Sequence, residues 1–370
     1  MSLMKNKTFQ KYFVPGIVFQ SLVIAGGYGT GRELVEYFLE YGTVGGLLGI
    51  FCVSLVIWSV ICALTFALAQ KLKAFDYRSL FQNLLGPAWP AYEVCYFAMV
   101  LLILAVVAAS AGETLHALFG LNYWIGVLAM SVGVGFLVIK GTEAIEKFLS
   151  LWSFVLYGVY ILFLVICFIR FGGAMRQAIV TGWAESGWQV GGFRYAFYNL
   201  GSIPAVLFTV RHCDSPRQAA GAGLLAGLIG ILPGAFLLLA MTAFYPMVLT
   251  EALPVNAILS ILQMPWLQYA FQIVLFGTLI ETGTGMIFAI TDRFETSYRE
   301  ARLEPPRLLK PGLTVVLLLA GVCIASVGLT GLVESGYGTV SWAFLLVYVI
   351  PILTVGVFKL LRRTDRGTRG

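Results

Sequence analysis

Ten stretches of this 370-residue chain are apolar for eighteen residues or more, and a helix of about 20 such residues crosses the core of a bilayer. They run over 12–39, 43–70, 91–118, 122–139, 142–170, 187–211, 217–246, 265–292, 311–330 and 336–360. Hydrocarbon offers no partner for a backbone N–H or C=O, so a segment this long satisfies itself only as a helix. Composition agrees. The chain is 59% hydrophobic and 11% charged with a mean hydropathy of +0.89, where a soluble domain carries about 25% charged residues. The expected fold class is an all-α integral membrane protein of ten transmembrane helices. The first stretch is too long for a signal peptide and has no small-residue cleavage site, so it reads as an uncleaved span.

Ten crossings put both termini on one face. With that face in the cytoplasm, the inner segments hold twenty basic residues, from Lys5, Lys7 and Lys11 to Arg363, Arg366 and Arg369, and the outer loops hold only Arg170 and Arg176. Arg32 and Arg194 are left inside spans. This positive-inside bias sets the orientation and absorbs the net charge of +6, so nucleic acid is not the expected partner. The expected location is a bacterial-type plasma (inner) membrane, with the lipid bilayer and a small-molecule substrate as partners. Oligomeric state is not encoded in any pattern here. Cys52, Cys62, Cys95, Cys167, Cys213 and Cys323 have no paired or metal-like spacing and read as small packing residues. No metal site or cofactor is expected.

The spans repeat. The second and seventh begin near 43 and 217 and the third and eighth near 91 and 265, both pairs offset by 174 residues. Five spans are an odd number, so the second copy enters the membrane from the opposite face. The expected organisation is one membrane domain built as an inverted 5+5 repeat, 1–186 and 187–370, the second ending in a cytoplasmic tail.

Residues 25 to 31 read Ala-Gly-Gly-Tyr-Gly-Thr-Gly inside the first span. Glycine costs roughly 1 kcal/mol against alanine within a helix, so four in seven residues mark a break, which survives at bilayer depth only where it lines a cavity or a ligand. The repeat offset lands in the sixth span near Asn199-Leu200-Gly201-Ser202-Ile203-Pro204, where Pro204 removes a donor and disfavours helix at Ile203. Discontinuous helices one and six are therefore expected to frame a midplane site. The competing reading of such glycines, close helix packing, is the better one for Gly223/Gly227 and Gly230/Gly234 in the seventh span.

Ionisable residues at bilayer depth cost about 2.5 kcal/mol or more each and need a partner or a purpose. Arg32, Glu33 and Glu36 follow the first break, where helix N-terminal amides favour a carboxylate. Glu113 and Arg194 fall in the outer halves of spans three and six, and with Arg32 or Glu33 they are expected to form an ion-paired outer gate. Glu281 lies about 16 residues into span eight, on the order of 24 Å along the helix, between Thr278, Thr282 and Thr284. It is read either as an ion-coupling carboxyl or as a hydrogen-bonding partner between helices. No nucleophile elbow, zincin or dinucleotide motif is present, so an enzyme is not expected.

The two-halved pattern with breaks in spans one and six resembles the LeuT fold of the amino acid, polyamine and organocation transporter superfamily. Ala25 to Phe38, AGGYGTGRELVEYF, resembles the glycine-rich first helix of the bacterial YkvI-like membrane proteins. The resemblance implies a cation site between spans one and eight. Sodium-coupled members use neighbouring hydroxyls there, whereas this chain offers Glu281 with Thr282, leaving H⁺ or Na⁺ as the coupling ion. Some proton-coupled relatives use a lysine on span five. Lys147 would match only if that helix starts lower than its apolar run.

The function these readings imply is secondary active transport, by alternating access, of a small organic solute that is an amino acid-like zwitterion or a carboxylate. Gly26, Gly27, Tyr28, Gly29, Thr30, Gly31, Asn199, Gly201 and Ser202 are the expected substrate contacts, with the carboxylate on exposed amides. The alternative is a non-transporting ligand sensor on the same fold.

Overall fold

A computed structural model describes residues 7–24, 26–140 and 142–362. Lys5, Ala25, Arg363, Arg366, Arg369 and the side chain of Lys147 lie outside the described residues. Every element among them is a helix. The chain opens with α1 (Lys7–Tyr12), α2 (Val14–Val23), α3 (Gly26–Thr30) and α4 (Arg32–Tyr37). Then come α5 (Thr43–Leu72), α6 (Tyr77–Leu85), α7 (Pro90–Phe119), α8 (Tyr123–Lys140) and α9 (Thr142–Val180). After α10 (Trp188–Leu200) the chain tightens into a 3-10 segment, Ile203–His212. Next are α11 (Pro216–Thr242), α12 (Pro254–Leu262), α13 (Pro265–Glu300), α14 (Leu309–Ala325) and α15 (Leu329–Leu361).

Among the described residues seven helices are long and apolar enough to cross a membrane, within α5, α7, α8, α9, α11, α13 and α15, and the chain is a multi-pass membrane protein. The remaining expected spans, the first, sixth and ninth, are shorter helices. Backbone geometry explains each. The first leaves the helix at Ile24 (φ −73°, ψ 81°) and again at Gly31, whose φ of +87° an L side chain rarely adopts. In the sixth, α10 ends at Leu200 and Pro204 starts a tighter helix, so the interruption is a change of helix type with the backbone still hydrogen-bonded, Gly201 N–H to the Tyr198 carbonyl at 3.1 Å. The ninth stops at Ala325, and Gly328 (φ +88°) turns the chain into α15 earlier than expected.

α11 and α5 pack backbone to backbone. A Cβ on Gly223 would come 2.5 Å from the Cα of Ala63, and one on Gly227 would come 2.6 Å from the Cα of Ser59. Further along, Gly230 faces the Phe19 ring and Gly234 the Tyr28 ring. These four glycines are close-packing residues, which brings α2 and α3 against the same surface.

Candidate functional site

The first break leaves the last carbonyls of α2 without intrahelical partners. Thr282 of α13 supplies one from outside: its hydroxyl donates to the Ile24 carbonyl at 3.0 Å and lies 3.5 Å from that of Ser21. A neutral bond of this kind contributes about 1 kcal/mol net. Of the other expected ion-coupling residues, Thr278 donates to the Val274 carbonyl of its own helix at 2.9 Å. Thr284 has a buried hydroxyl with no partner, and Glu281 is 1% exposed, one residue from Thr282.

Past the break, Thr30 closes α3 by donating to the Gly27 carbonyl at 3.1 Å, and the left-handed Gly31 re-aims the chain into α4. Glu33 is fully buried and its carboxylate folds back over Gly27, where a Cβ would lie 2.5 Å from Oε1. The Tyr198 hydroxyl of α10 donates to Oε2, and the Tyr28 backbone N–H faces the same carboxylate. Aromatic rings enclose this carboxylate. Tyr198 stacks on Tyr337 of α15 with centroids 4.3 Å apart and planes within 7°, and Tyr37 lies 5.9 Å from both Tyr195 and Tyr198. Tyr28 and Trp58 flank Tyr195 at 6.4 and 5.4 Å. The Tyr337 hydroxyl is buried and has no partner.

The expected substrate contacts divide. Gly27 lies directly under the carboxylate, Gly29 faces Leu275 and the Tyr160 hydroxyl, and Tyr28 donates to the Gly230 carbonyl at 3.4 Å. Gly26 opens α3. Asn199 donates to the Tyr195 carbonyl of its own helix at 3.0 Å, and the Gly201 carbonyl accepts from the Tyr92 hydroxyl at 3.0 Å; Ser202 is buried beside it.

The expected outer gate does not assemble from its four residues. Arg32 and Glu33 are consecutive on a helix and cannot face the same way. Arg32 turns to Glu36 (3.5 Å) and Glu40 (3.6 Å) and donates to the carbonyls of Leu249 (2.9 Å) and Glu251 (3.3 Å), which lie between α11 and α12. Arg194 lies over the Tyr37 ring at 5.4 Å and donates to the Glu334 carbonyl at 3.2 Å. Glu113 lines a separate cavity of about 680 Å³ at the α7–α8 turn with His116, Tyr123 and Trp124. At the opposite end of the first helix Lys11 pairs with Asp214, whose carboxyl it holds below the usual aspartate range, and the Cys213 thiol donates to the Lys11 carbonyl at 3.6 Å.

Sequence reasoning missed Tyr37, Tyr195, Tyr198 and Tyr337. One signal was available: Tyr195 and Tyr198 are spaced i, i+3 immediately before the second break, so they share the face nearest the first.

These elements define a class by their fold. The chain is similar to a substrate-bound, outward-open Na⁺-coupled sialic acid symporter (TM-score 0.65, 15% identity, 96% of this chain and 82% of that one). It is also similar to a nucleobase-cation-symport-1 family transporter with bromovinylhydantoin bound (0.59, 14%, 92% and 76%) and to MhsT in complex with L-phenylalanine (0.59, 15%, 94% and 97%). The fold is that of LeuT-type transporters. In sequence the chain resembles the uncharacterized membrane protein YkvI of Bacillus subtilis (strain 168), 22% identical over 285 residues that cover 75% of this chain and 80% of the relative. No family model matches.

Proposed function

We propose that this protein is a secondary active transporter of a small organic solute, coupled to H⁺ or Na⁺, working by alternating access around the two breaks. Ten crossings with both termini cytoplasmic, and an inverted repeat of 1–186 and 187–370, complete the reading. The helix starts support the repeat: α5 and α11 begin at Thr43 and Pro216, α7 and α13 at Pro90 and Pro265, spacings close to the 174 residues of the sequence pattern. The observation that carries the reading is the Thr282 hydroxyl on the Ile24 carbonyl. It joins the eighth span to the broken end of the first, where carbonyls freed from a helix gather partial negative charge suited to a cation. Glu281, buried one residue away, is the coupling carboxyl, with Thr278 and Thr284 on the same helix. The solute contacts are the residues of the first break with Asn199, Gly201 and Ser202.

The test is transport by the full chain in proteoliposomes. A panel of radiolabelled amino acids is offered with an inward H⁺ gradient, an inward Na⁺ gradient or neither. Gradient-driven accumulation is expected in one arm. Glu281→Gln is expected to abolish uphill accumulation while exchange of internal for external solute persists. Binding without uptake or exchange would make the protein a sensor, and full uptake by Glu281→Gln would return that residue to a structural role.

A further inference from the structure

The turn that joins α7 to α8 carries two electron-pair donors that the transport reading leaves idle. Glu113 and His116 are three residues apart near the end of α7, so their side chains share one face of the helix. Both line the cavity of about 680 Å³, with Asn122, Tyr123 and Trp124 as its other side chains of polar or aromatic type. No hydrogen bond or ion pair among the described residues engages the Glu113 carboxylate. His116 is oriented from behind. Its Nδ1 lies 2.8 Å from the Leu121 carbonyl, which can only accept, so Nδ1 carries the ring proton and Nε2 keeps its lone pair. A backbone carbonyl on the far nitrogen is what fixes the tautomer of a metal-binding histidine and raises its basicity.

The backbone beneath the pair is tightly held. Gly120 (φ +63°) ends α7 with its N–H on the His116 carbonyl at 2.9 Å, and the Asn122 side chain caps α8 by accepting from the Trp124 N–H at 2.9 Å. The two helices meet at backbone distance. A Cβ on Gly126 would lie 2.3 Å from the Ala111 carbonyl oxygen, and one on Gly112 would lie 2.5 Å from the Tyr123 ring. The Tyr123 hydroxyl in turn donates to the Ala325 carbonyl at the end of α14 at 3.1 Å. Two donors on such a frame need little reordering to meet a ligand.

A bare imidazole nitrogen beside a carboxylate suits a cation. Mg²⁺ and Ca²⁺ take shells of oxygen, whereas a mixed imidazole and carboxylate pair suits Zn²⁺ and its neighbours, at about 2.0 to 2.2 Å from each ligand atom. Side chains three apart on a helix, with Cβ atoms about 5 to 6 Å from each other, can converge on one ion at that range.

We propose that Glu113 and His116 bind a divalent transition-metal ion, Zn²⁺ or one of its neighbours, through a Glu113 carboxylate oxygen and His116 Nε2, with water in the open cavity completing the shell. No group of three or more His, Cys, Asp or Glu side chains placed to hold a metal is present among the described residues. The ion is therefore an exchangeable one, unlike the closed four-ligand kind that holds a fold together. Bound there, it fixes the last turn of α7. The site stands apart from the two breaks and does not depend on what the protein transports.

The experiment is calorimetric titration of the full-length purified protein with Zn²⁺ alone and with Mg²⁺ alone, with melting temperature followed in parallel. The protein carries no histidine tag, and Cys52→Ser and Cys323→Ser remove the exposed thiols that would compete. Zn²⁺ is expected to bind and to raise the melting temperature, as a ligand of the folded state does; Mg²⁺ is expected to do neither. Glu113→Gln and His116→Asn should each weaken Zn²⁺ binding about tenfold or more. The asparagine amide can still donate to the Leu121 carbonyl, so the turn keeps its tie while Nε2 is gone. His212→Asn, at the other histidine of the chain, should bind as wild type does. Should one of the two ligand variants fail to accumulate, the other reads the same ion. No Zn²⁺ binding, an equal response to Mg²⁺, loss of binding in His212→Asn, or binding as tight as wild type in Glu113→Gln or His116→Asn would each overturn the proposal.

Discussion

The two ends of the first helix are tied by unlike means. At one end, the Arg32 side chain is 7% exposed and collects two carboxylates and two loop carbonyls; at the other, Lys11 and Asp214 form a pair with side-chain exposures of 21% and 67%. Burial decides what each is worth. An exposed pair is screened by water and restrained by little else, whereas removing the cation from a buried network strands the carboxylates it neutralised. On the proposed alternating-access reading, opening at the Lys11 end costs less than opening at the Arg32 end.

The largest effect should come from Arg32→Ala, which leaves Glu36 buried without its cation. Destabilisation of about 3 kcal/mol is expected, read as a fall of several degrees in melting temperature. A cysteine at position 249 should also become more reactive toward a water-soluble maleimide. Arg32→Lys should restore only part, because an ammonium lacks the planar fork that meets several acceptors at once. A melting temperature unchanged by Arg32→Ala would erase the contrast between the ends.

Acidity gives a second, smaller separation. Burial and the adjacent Glu36 raise the Glu40 carboxyl above the usual glutamate range, although Arg32 pulls the other way. A raised carboxyl pKa means that the folded state binds the proton more tightly, so stability falls as pH rises through the window above about 4.3. Melting temperature should rise as pH drops from 7 to 5, and Glu40→Gln should diminish that rise. Asp214 has the opposite sign. Held low by Lys11, it contributes stability that is lost only as pH falls below the usual aspartate range of about 3.9. The Lys11 end should therefore be indifferent between pH 7 and 5. The smallest effect belongs to Lys11→Ala, whose melting temperature should match wild type within error; a loss comparable to that of Arg32→Ala would show the two ties to be equivalent.

Legibility in the sequence followed the range of the interaction. The first break was readable because glycine acts on its own backbone, whereas the bond from Thr282 to the Ile24 carbonyl was not, because it joins residues 258 positions apart. The short α10 was foreshadowed by Pro204. The position of the Glu33 carboxylate over Gly27 was not readable, because the left-handed turn at Gly31 sets the direction in which α4 presents its side chains. Counting along an unbroken helix cannot include that rotation. Tyr337 stacks on Tyr198 at a sequence separation of 139, and nothing local to either residue announces it. Glu113 was assigned to the gate by depth alone, and depth says nothing of which side of α7 it occupies.

The glycine stripe between α11 and α5 has a mechanical corollary. With Gly223 seated on Ala63 and Gly227 on Ser59 at backbone contact, neither helix can slide along the other without climbing over a residue. The pair behaves as a stiff beam. Any rocking of the molecule has to carry both helices as one body, and the travel must be taken up by parts that are already short or hinged: α2 and α4 on either side of the first break, and α10 where it tightens into its 3-10 turn.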